Sequence, residues 1–450
     1  MKLIYGVKDK PKFGQMIIFA IQQLLAIMTA TLVVPVIIGN GMSPAAALVG
    51  AGVGTLFYVI CTKAKSPVFL GSSFAFINSM FAAFAGGVSM SLGYLGLIIG
   101  ALFAGLIYVI IAIIVKFAGV NWINKLMPAA VIGPTVAIIG LSLAGNAIGD
   151  LTKGSIPGVE ASPIIAVICG LTTLFITIAC SVYGKKYGKL IPFIFGILGG
   201  YALALVYTLI GNATGIDSIK ILNLEPIKAL FADGITIKTF FSVPDFTFLT
   251  AIKGVGELNG AYIGTIAVAY IPVAFVVFAE HIADHKNISS IIEEDLLVEP
   301  GLHRTLLGDG IGSFLGSIFG GCPNTTYGES VGCVAITKNA SVYTIITAAI
   351  MAIGIAFISP FIAFVNSIPS CVMGGVCMAL YGFIAVSGLK MVQTVNLNLN
   401  KNLFVVSSIL IAGIGGLTLN FGKITITSVA CALIIGIIVN IMVSRAPDEE

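Results

Sequence analysis

The sequence predicts an all-α polytopic membrane protein. It has fourteen transmembrane segments in two inverted seven-segment repeats, with short β-strands and half-helices in segments 3 and 10. Three observations predict this fold. The first is composition: of 450 residues, 58% are hydrophobic and 9% charged, against roughly 25% charged in a soluble domain. The second is that the apolar residues fall into fourteen blocks. The third is that the third block of each set of seven is broken by Pro and Gly at corresponding positions. The mean hydropathy of +1.08 excludes a soluble enzyme, a disordered chain and a nucleic-acid-binding protein.

A bilayer-spanning helix takes about 20 apolar residues, so fourteen use about 280 and leave short loops and one longer one. The blocks lie near 13–38, 43–61, 70–87, 91–117, 128–149, 162–183 and 189–211, then, after a polar stretch at 212–260, near 261–288, 303–320, 327–338, 341–365, 368–392, 402–420 and 424–444. The basic start MKLIYGVKDKPKFGQ resembles the head of a secretory signal. The run that follows continues to Ile38 and is interrupted by Gln22 and Gln23, so it reads as an uncleaved first span. The 53 glycines predict close helix packing and broken helices.

Charge placement gives the orientation. With the N-terminus inside, inner loops hold Lys2, Lys8, Lys10, Lys12, Lys63, Lys65, Lys116, Lys125, Lys185, Lys186, Lys189, Lys286, Arg304, Lys338, Lys390, Lys401 and Arg445. Outer loops hold Lys153, Lys220, Lys228, Lys238, Lys253 and Lys423. Seventeen against six follows the positive-inside rule and predicts cytoplasmic termini. Seven spans per unit is an odd number, so two units in one chain enter the membrane in opposite senses. A site is then expected at the midplane, where discontinuous helices meet.

The broken segments are SPVFLGSSFAF, 66–76, and GGCPNTTYGES, 320–330. In the first, Pro67 starts an extended run and Gly71, Ser72 and Ser73 open a short helix. In the second, Pro323 and the β-favouring Thr325, Thr326 and Tyr327 lead into Gly328. Irregular backbone at membrane depth survives only when buried or lining a cavity. Each half-helix turns free N–H groups and the positive end of its dipole toward that cavity. The bland alternative is a pair of apolar interhelical loops.

Four acids fall within or against the spans: Glu280, Asp284, Asp309 and Glu329, with no Lys or Arg inside a span to balance them. Glu280 and Asp284 are four apart and share a helix face. Glu329 opens the half-helix after TTYG. Uncompensated carboxyls in the membrane are costly and mark functional sites. They are expected to exchange protons near neutral pH. Other features read as structural. The eight cysteines form no CxxC pair and read as small core hydrophobes. His281 and His285 lack a third and fourth partner for a metal and read as helix-end or loop histidines. Glu293, Glu294 and Asp295 read as a solvated face, and Asn212 sits in a sequon with nothing else to suggest a secretory protein.

Two carboxyls accept N–H donors and, when protonated, return a hydrogen bond. Half-helix N–H groups donate to carbonyls, and an aromatic side chain such as Phe74 or Phe76 stacks on a flat ring. The set suits a small planar ring with amide-like edges, such as uracil or an oxopurine. An anion channel or exchanger is the alternative from another class, opposed by the acids. No peptidase or hydrolase pattern supports an enzyme.

At LGSSFAF (70–76), FAEHIADH (278–285), EDLLVEPGLHRTLLGDG (294–310), PNTTYGESVGCVAITK (323–338) and VMGGVCMALYGFIAVSG (372–388), the chain resembles the nucleobase–cation symporters, or nucleobase–ascorbate transporters. The resemblance is strongest to the bacterial uracil permeases. It implies a core domain (1–120 and 261–366, segments 1–4 and 8–11) and a gate domain (121–260 and 367–450, segments 5–7 and 12–14). It implies proton-coupled uracil import across the cytoplasmic membrane by alternating access, with the proton as coupling ion, no cofactor, and a homodimer joined through the gate. By residue, it implies that Glu280 and Glu329 bind the base, that Phe74 and Gly328 flank it with Ser73 and Tyr327 beside them, and that Tyr381 is a gate residue. Proton coupling falls to Glu280, Asp284 and Asp309. The chain departs from the uracil branch at Asp284, where that branch has His, and at Asp309, an acid common among purine carriers. Gln23 replaces a His common in segment 1, and Ser330 the signature Asn. A xanthine or purine symporter is the alternative substrate reading.

Overall fold

The computed structural model describes residues 3–119, 121–185, 188, 191–421 and 424–444. Lys2, Lys186, Lys189, Lys423 and Arg445 of the charge count lie outside these. The chain is mostly helical. Among the described residues, eight helices are long and apolar enough to cross a membrane, and four shorter apolar helices accompany them.

The first half begins with α1 (Phe13–Ile38), which carries Pro35 near its end and stops at Gly39 in a left-handed-side conformation, φ 67°. Helix α2 (Pro44–Cys61) starts on a Ser43 cap, whose side chain accepts from the Ala46 N–H at 3.2 Å, with Pro at the first turn. Strand β1 (Leu70–Ser72), a 3-10 turn at Phe74–Phe76 and the seven-residue α3 (Ile77–Ala83) form the first broken segment. Helix α4 (Met90–Ala118) follows on a Ser89 cap. Then come α5 (Asn121–Leu126), α6 (Ala129–Ser142), α7 (Ala144–Leu151), α8 (Pro163–Tyr183) and α9 (Pro192–Thr214).

The stretch 212–260, expected to be simply polar, holds three short helices: α10 (Glu225–Lys228), α11 (Ile237–Phe240) and α12 (Thr247–Ala251). It also exposes large apolar side chains, Ile235 at 77% and Ile237 at 81%. Its polar residues had masked this interleaved apolar set.

The second half begins with α13 (Gly260–Ile292), 33 residues capped by Asn259. Helix α14 (Leu302–Gly320), strand β2 (Asn324–Thr326) and α15 (Gly328–Thr337) lead to α16 (Val342–Ile355) and α17 (Ser359–Ser367). Helix α18 (Ser370–Val392), α19 (Asn400–Ile414), a hairpin of β3 (Leu419–Phe421) and β4 (Ile424–Ile426), and α20 (Ser428–Val443) close the fold.

Two tightly packed groups result. Helix α14 packs on α2 and α4, while α18 packs on α6 and α8. Glycine sets the closeness of both. A Cβ on Gly50 of α2 would meet the carbonyl oxygen of Gly316 on α14 at 2.6 Å, and one on Gly388 of α18 would meet that of Gly133 on α6 at 2.5 Å. Small residues let helix backbones approach where lipid gives no hydrophobic drive between them. The linker between the halves leans on the first group: α12 touches α4 and α14, α10 touches α17, and the Ser242 N–H donates to the Phe357 carbonyl at 3.0 Å.

Candidate functional site

The two broken segments meet. Strands β1 and β2 pair antiparallel, Leu70 opposite Thr326, Gly71 opposite Thr325 and Ser72 opposite Asn324. The Ser73 N–H extends the ladder to the Pro323 carbonyl at 2.8 Å. Tyr327 braces the crossing: its hydroxyl donates to the Ser72 carbonyl at 2.7 Å, and a Cβ on Gly71 would fall 2.4 Å from its ring. The crossing needs glycine there. The two chain turns therefore start helices from one buried point, with N–H groups of the first turn of each left without intrahelical partners.

Helix α13 passes beside this crossing and presents Glu280 and Asp284. These two, with Gly328, Glu329 and Gly332, line a cavity of about 330 Å³, a size ordinary for small-molecule sites. The opposite wall is largely apolar, with Phe193 at the start of α9 and Phe383, Ile384 and Met391 on α18. No Lys or Arg is among its lining residues. Glu280 and Glu329 are half-buried and Gly328 is exposed, so two carboxyls and the N-terminal end of α15 share one water-reachable space. Asp284 is 8% exposed, and the Thr326 hydroxyl donates to its Oδ2 at 2.8 Å. A strand residue is thus tied directly to an acid of α13.

The remaining expected residues stand away from the cavity lining. Phe74 is buried, and its ring meets that of Tyr381 edge-on at 5.8 Å. The structure brings these two rings together in a T-shaped contact. Ser73 is fully buried and its N–H is engaged by Pro323. Tyr327 acts on the strand crossing. Asp309 is fully buried and pairs with His281 at 2.7 Å.

Some residues were missed. His281 and His285 are not helix-end or loop histidines: both are fully buried inside α13. The signal was present in FAEHIADH, where they repeat the four-residue spacing of the acids one position later. Thr326 was noted for strand propensity alone. Gln23 donates from its amide to Ser330 Oγ, which also accepts the Phe69 N–H at 3.0 Å. Two of the four departures from the family pattern therefore contact each other and tie α1 to the half-helix behind Glu329.

Comparison with known proteins decides the class. The Xan_ur_permease profile, described as a permease family, matches residues 14–422. The chain belongs to this family. It is 36% identical over 457 residues to the uracil permease of Bacillus subtilis (strain 168), covering 100% of this chain and 97% of that one. It is also 36% identical to the uracil permease of Bacillus caldolyticus, covering 99% and 96%. The sequence resemblance to nucleobase–ascorbate transporters, and to uracil permeases within them, therefore holds over the full length. In fold, the chain is similar to the transmembrane domain of a cyanobacterial bicarbonate transporter, BicA. The TM-score is 0.63 at 13% identity, covering 96% of this chain and 99% of that one. The chain is a multi-pass membrane permease and not an enzyme.

Proposed function

We propose that this permease imports uracil across the cytoplasmic membrane by proton-coupled alternating access. The observation that carries the reading is that Glu280 and Glu329, from elements far apart in sequence, line one cavity beside the N-terminal end of α15. Full-length relatives named uracil permeases support the substrate.

The chemistry follows from the lining. A uracil ring is neutral, with N–H donors for the carboxyls and carbonyls for the half-helix N–H groups. Three acids without a basic partner repel one another when all are ionised. A proton bound at Glu280 or Asp284 relieves that repulsion and supplies a donor to the ring. Base and proton thus raise each other's affinity, and this coupling is reciprocal. The same lining opposes an anion, so the BicA-like fold does not carry an anion-transport reading.

The cavity reaches Ser181, Ile336 and Met391, beside Lys185, Lys338 and Lys390. By the positive-inside rule these mark the cytoplasmic side, which supports an inward-open state and cytoplasmic termini. The antiparallel pairing of the two broken segments supports fourteen spans in two inverted repeats. The two packed helix groups support a core moving against a gate, in a homodimer joined through the gate. The contacts of 225–257 with α4, α14 and α17 support counting that linker with the core. Asp284 and Asp309, the departures from the uracil branch, leave xanthine or another purine as the second substrate reading.

The test is uptake of radiolabelled uracil into proteoliposomes with an acidic exterior, with unlabelled uracil, xanthine, hypoxanthine and uric acid as competitors. Concentrative uptake blocked best by uracil supports the reading. Stronger block by xanthine than by unlabelled uracil moves it to the purine branch, and uptake indifferent to the gradient removes proton coupling.

A further inference from the structure

Helix α13 carries a second polar face, one residue on from its acids. His281 and His285 stack at 4.0 Å, fully buried, and their hydrogen bonds can be given directions. His285 Nδ1 lies 2.7 Å from the His281 carbonyl. A carbonyl only accepts, so Nδ1 carries a proton. Its Nε2 lies 2.6 Å from the hydroxyl of Tyr58, which is 2.7 Å from Ser66 Oγ. No carboxylate contacts His285 among its hydrogen bonds, so the dry site favours a neutral ring that accepts from Tyr58.

His281 is different. Its Nε2 lies 2.9 Å from Thr305 Oγ1, and that hydroxyl donates to the Leu302 carbonyl at 3.1 Å. Thr305 therefore accepts, and Nε2 carries a proton. Nδ1 faces Asp309 Oδ2 at 2.7 Å, both groups being fully buried. Two lone pairs would repel at that distance, so one more proton lies between them, on the ring or on the carboxyl. In either form the pair is neutral overall. The titratable groups facing it are Tyr58 of α2, Tyr108 of α4, and Glu280, Asp284 and His285 of α13. None brings a positive charge that would release the shared proton.

We propose that His281 and Asp309 hold this proton throughout the transport cycle, and that Asp309 is a positioning residue for Glu280 rather than a carrier of the transported proton. Glu280 immediately precedes His281. Clamping the His281 ring against α14 fixes the rotation of α13 that turns Glu280 and Asp284 into the cavity. Asp309 itself does not line that cavity. The transport consequence rests on the proton-coupled nucleobase reading; the shared proton does not.

The experiment uses full-length protein with Asp309→Asn and Asp309→Ala. The Asn amide donates to Nδ1 without a titratable carboxyl, while Ala removes the partner. Asp309→Asn is expected to slow uracil uptake by about threefold while keeping its dependence on external pH. Asp309→Ala is expected to raise KM by about tenfold or more, a loss that Asn rescues. In the parent, ¹⁵N-histidine NMR should show the His281 ring unchanged from about pH 6 to about pH 8, whereas an unpaired imidazole titrates in that window. Asp309→Asn protein that binds uracil but no longer concentrates it overturns the proposal, as does titration of His281 in the parent. If the parent moves no nucleobase, the functional reading fails while the NMR result still tests the shared proton.

Discussion

The two broken segments share a local design, a three-residue strand running into the start of a short helix, and they pair with each other. Their environments differ. On the second, Gly328 is exposed and Glu329 faces the cavity. On the first, Ser73 is fully buried and Phe74 is buried in a T-shaped contact with Tyr381. A repeated scaffold thus carries two unlike ends, one chemical and open, one aromatic and covered by a side chain from the other packed group. The difference teaches that a repeated backbone design need not carry a repeated chemistry: the acids that line the cavity come from α13 and the second arm alone. The first arm ends in a buried contact with Tyr381 of α18.

The comparison breaks or sharpens with substitutions on each arm. The largest loss is expected on the open arm. Glu329→Ala and Glu280→Gln should each abolish concentrative uracil uptake in proteoliposomes, a fall of about a hundredfold or more, if these carboxyls hydrogen-bond the base as proposed. Unaltered uptake in either variant removes that residue from the site. On the covered arm, Phe74→Ala should weaken uracil binding by about tenfold if its ring stacks on the base at some stage of the cycle, base–aromatic stacking being worth about 1–3 kcal/mol. Calorimetry that finds no change would confine Phe74 to packing. Between the arms, Thr326→Val removes one hydrogen bond to Asp284, worth about 1 kcal/mol, so uptake should fall about fivefold with a shifted pH dependence. The smallest effect belongs to the surface pair Lys65–Glu299. The Lys65 ammonium holds the Glu299 carboxyl below its usual range. The pair is therefore present at neutral pH and lost as pH falls through that lowered value. It is solvent-exposed, so Glu299→Gln should change uptake less than about twofold.

Much of the scaffold was legible in the chain itself. Apolar run lengths gave helices such as Phe13–Ile38 and Ser370–Val392 nearly to the residue. The Pro and Gly breaks gave both interrupted segments. The spacing in FAEHIADH placed Glu280 and Asp284 on one face, and TTYG placed Glu329 at a helix start. What stayed hidden depends on partners far along the chain. Thr326 and Asp284 are 42 positions apart, and Gln23 and Ser330 are 307 apart. Local pattern carries no trace of such pairings. The stacked histidines were misread for the same reason: the groups that bury them come from α2 and α14. The contact of Tyr381 with Phe74 joins two packed groups whose residues are far apart in the chain, so local pattern could not show it.

The most direct measurement is the binding of uracil to the purified permease at two pH values, by calorimetry, for the parent and Glu280→Gln. The parent should bind uracil with net proton uptake, seen as a heat that varies with the buffer's ionisation enthalpy, and this uptake should vanish in Glu280→Gln. Uracil binding by the parent with no proton taken up, or the same uptake in both proteins, would contradict a carboxyl that receives base and proton together.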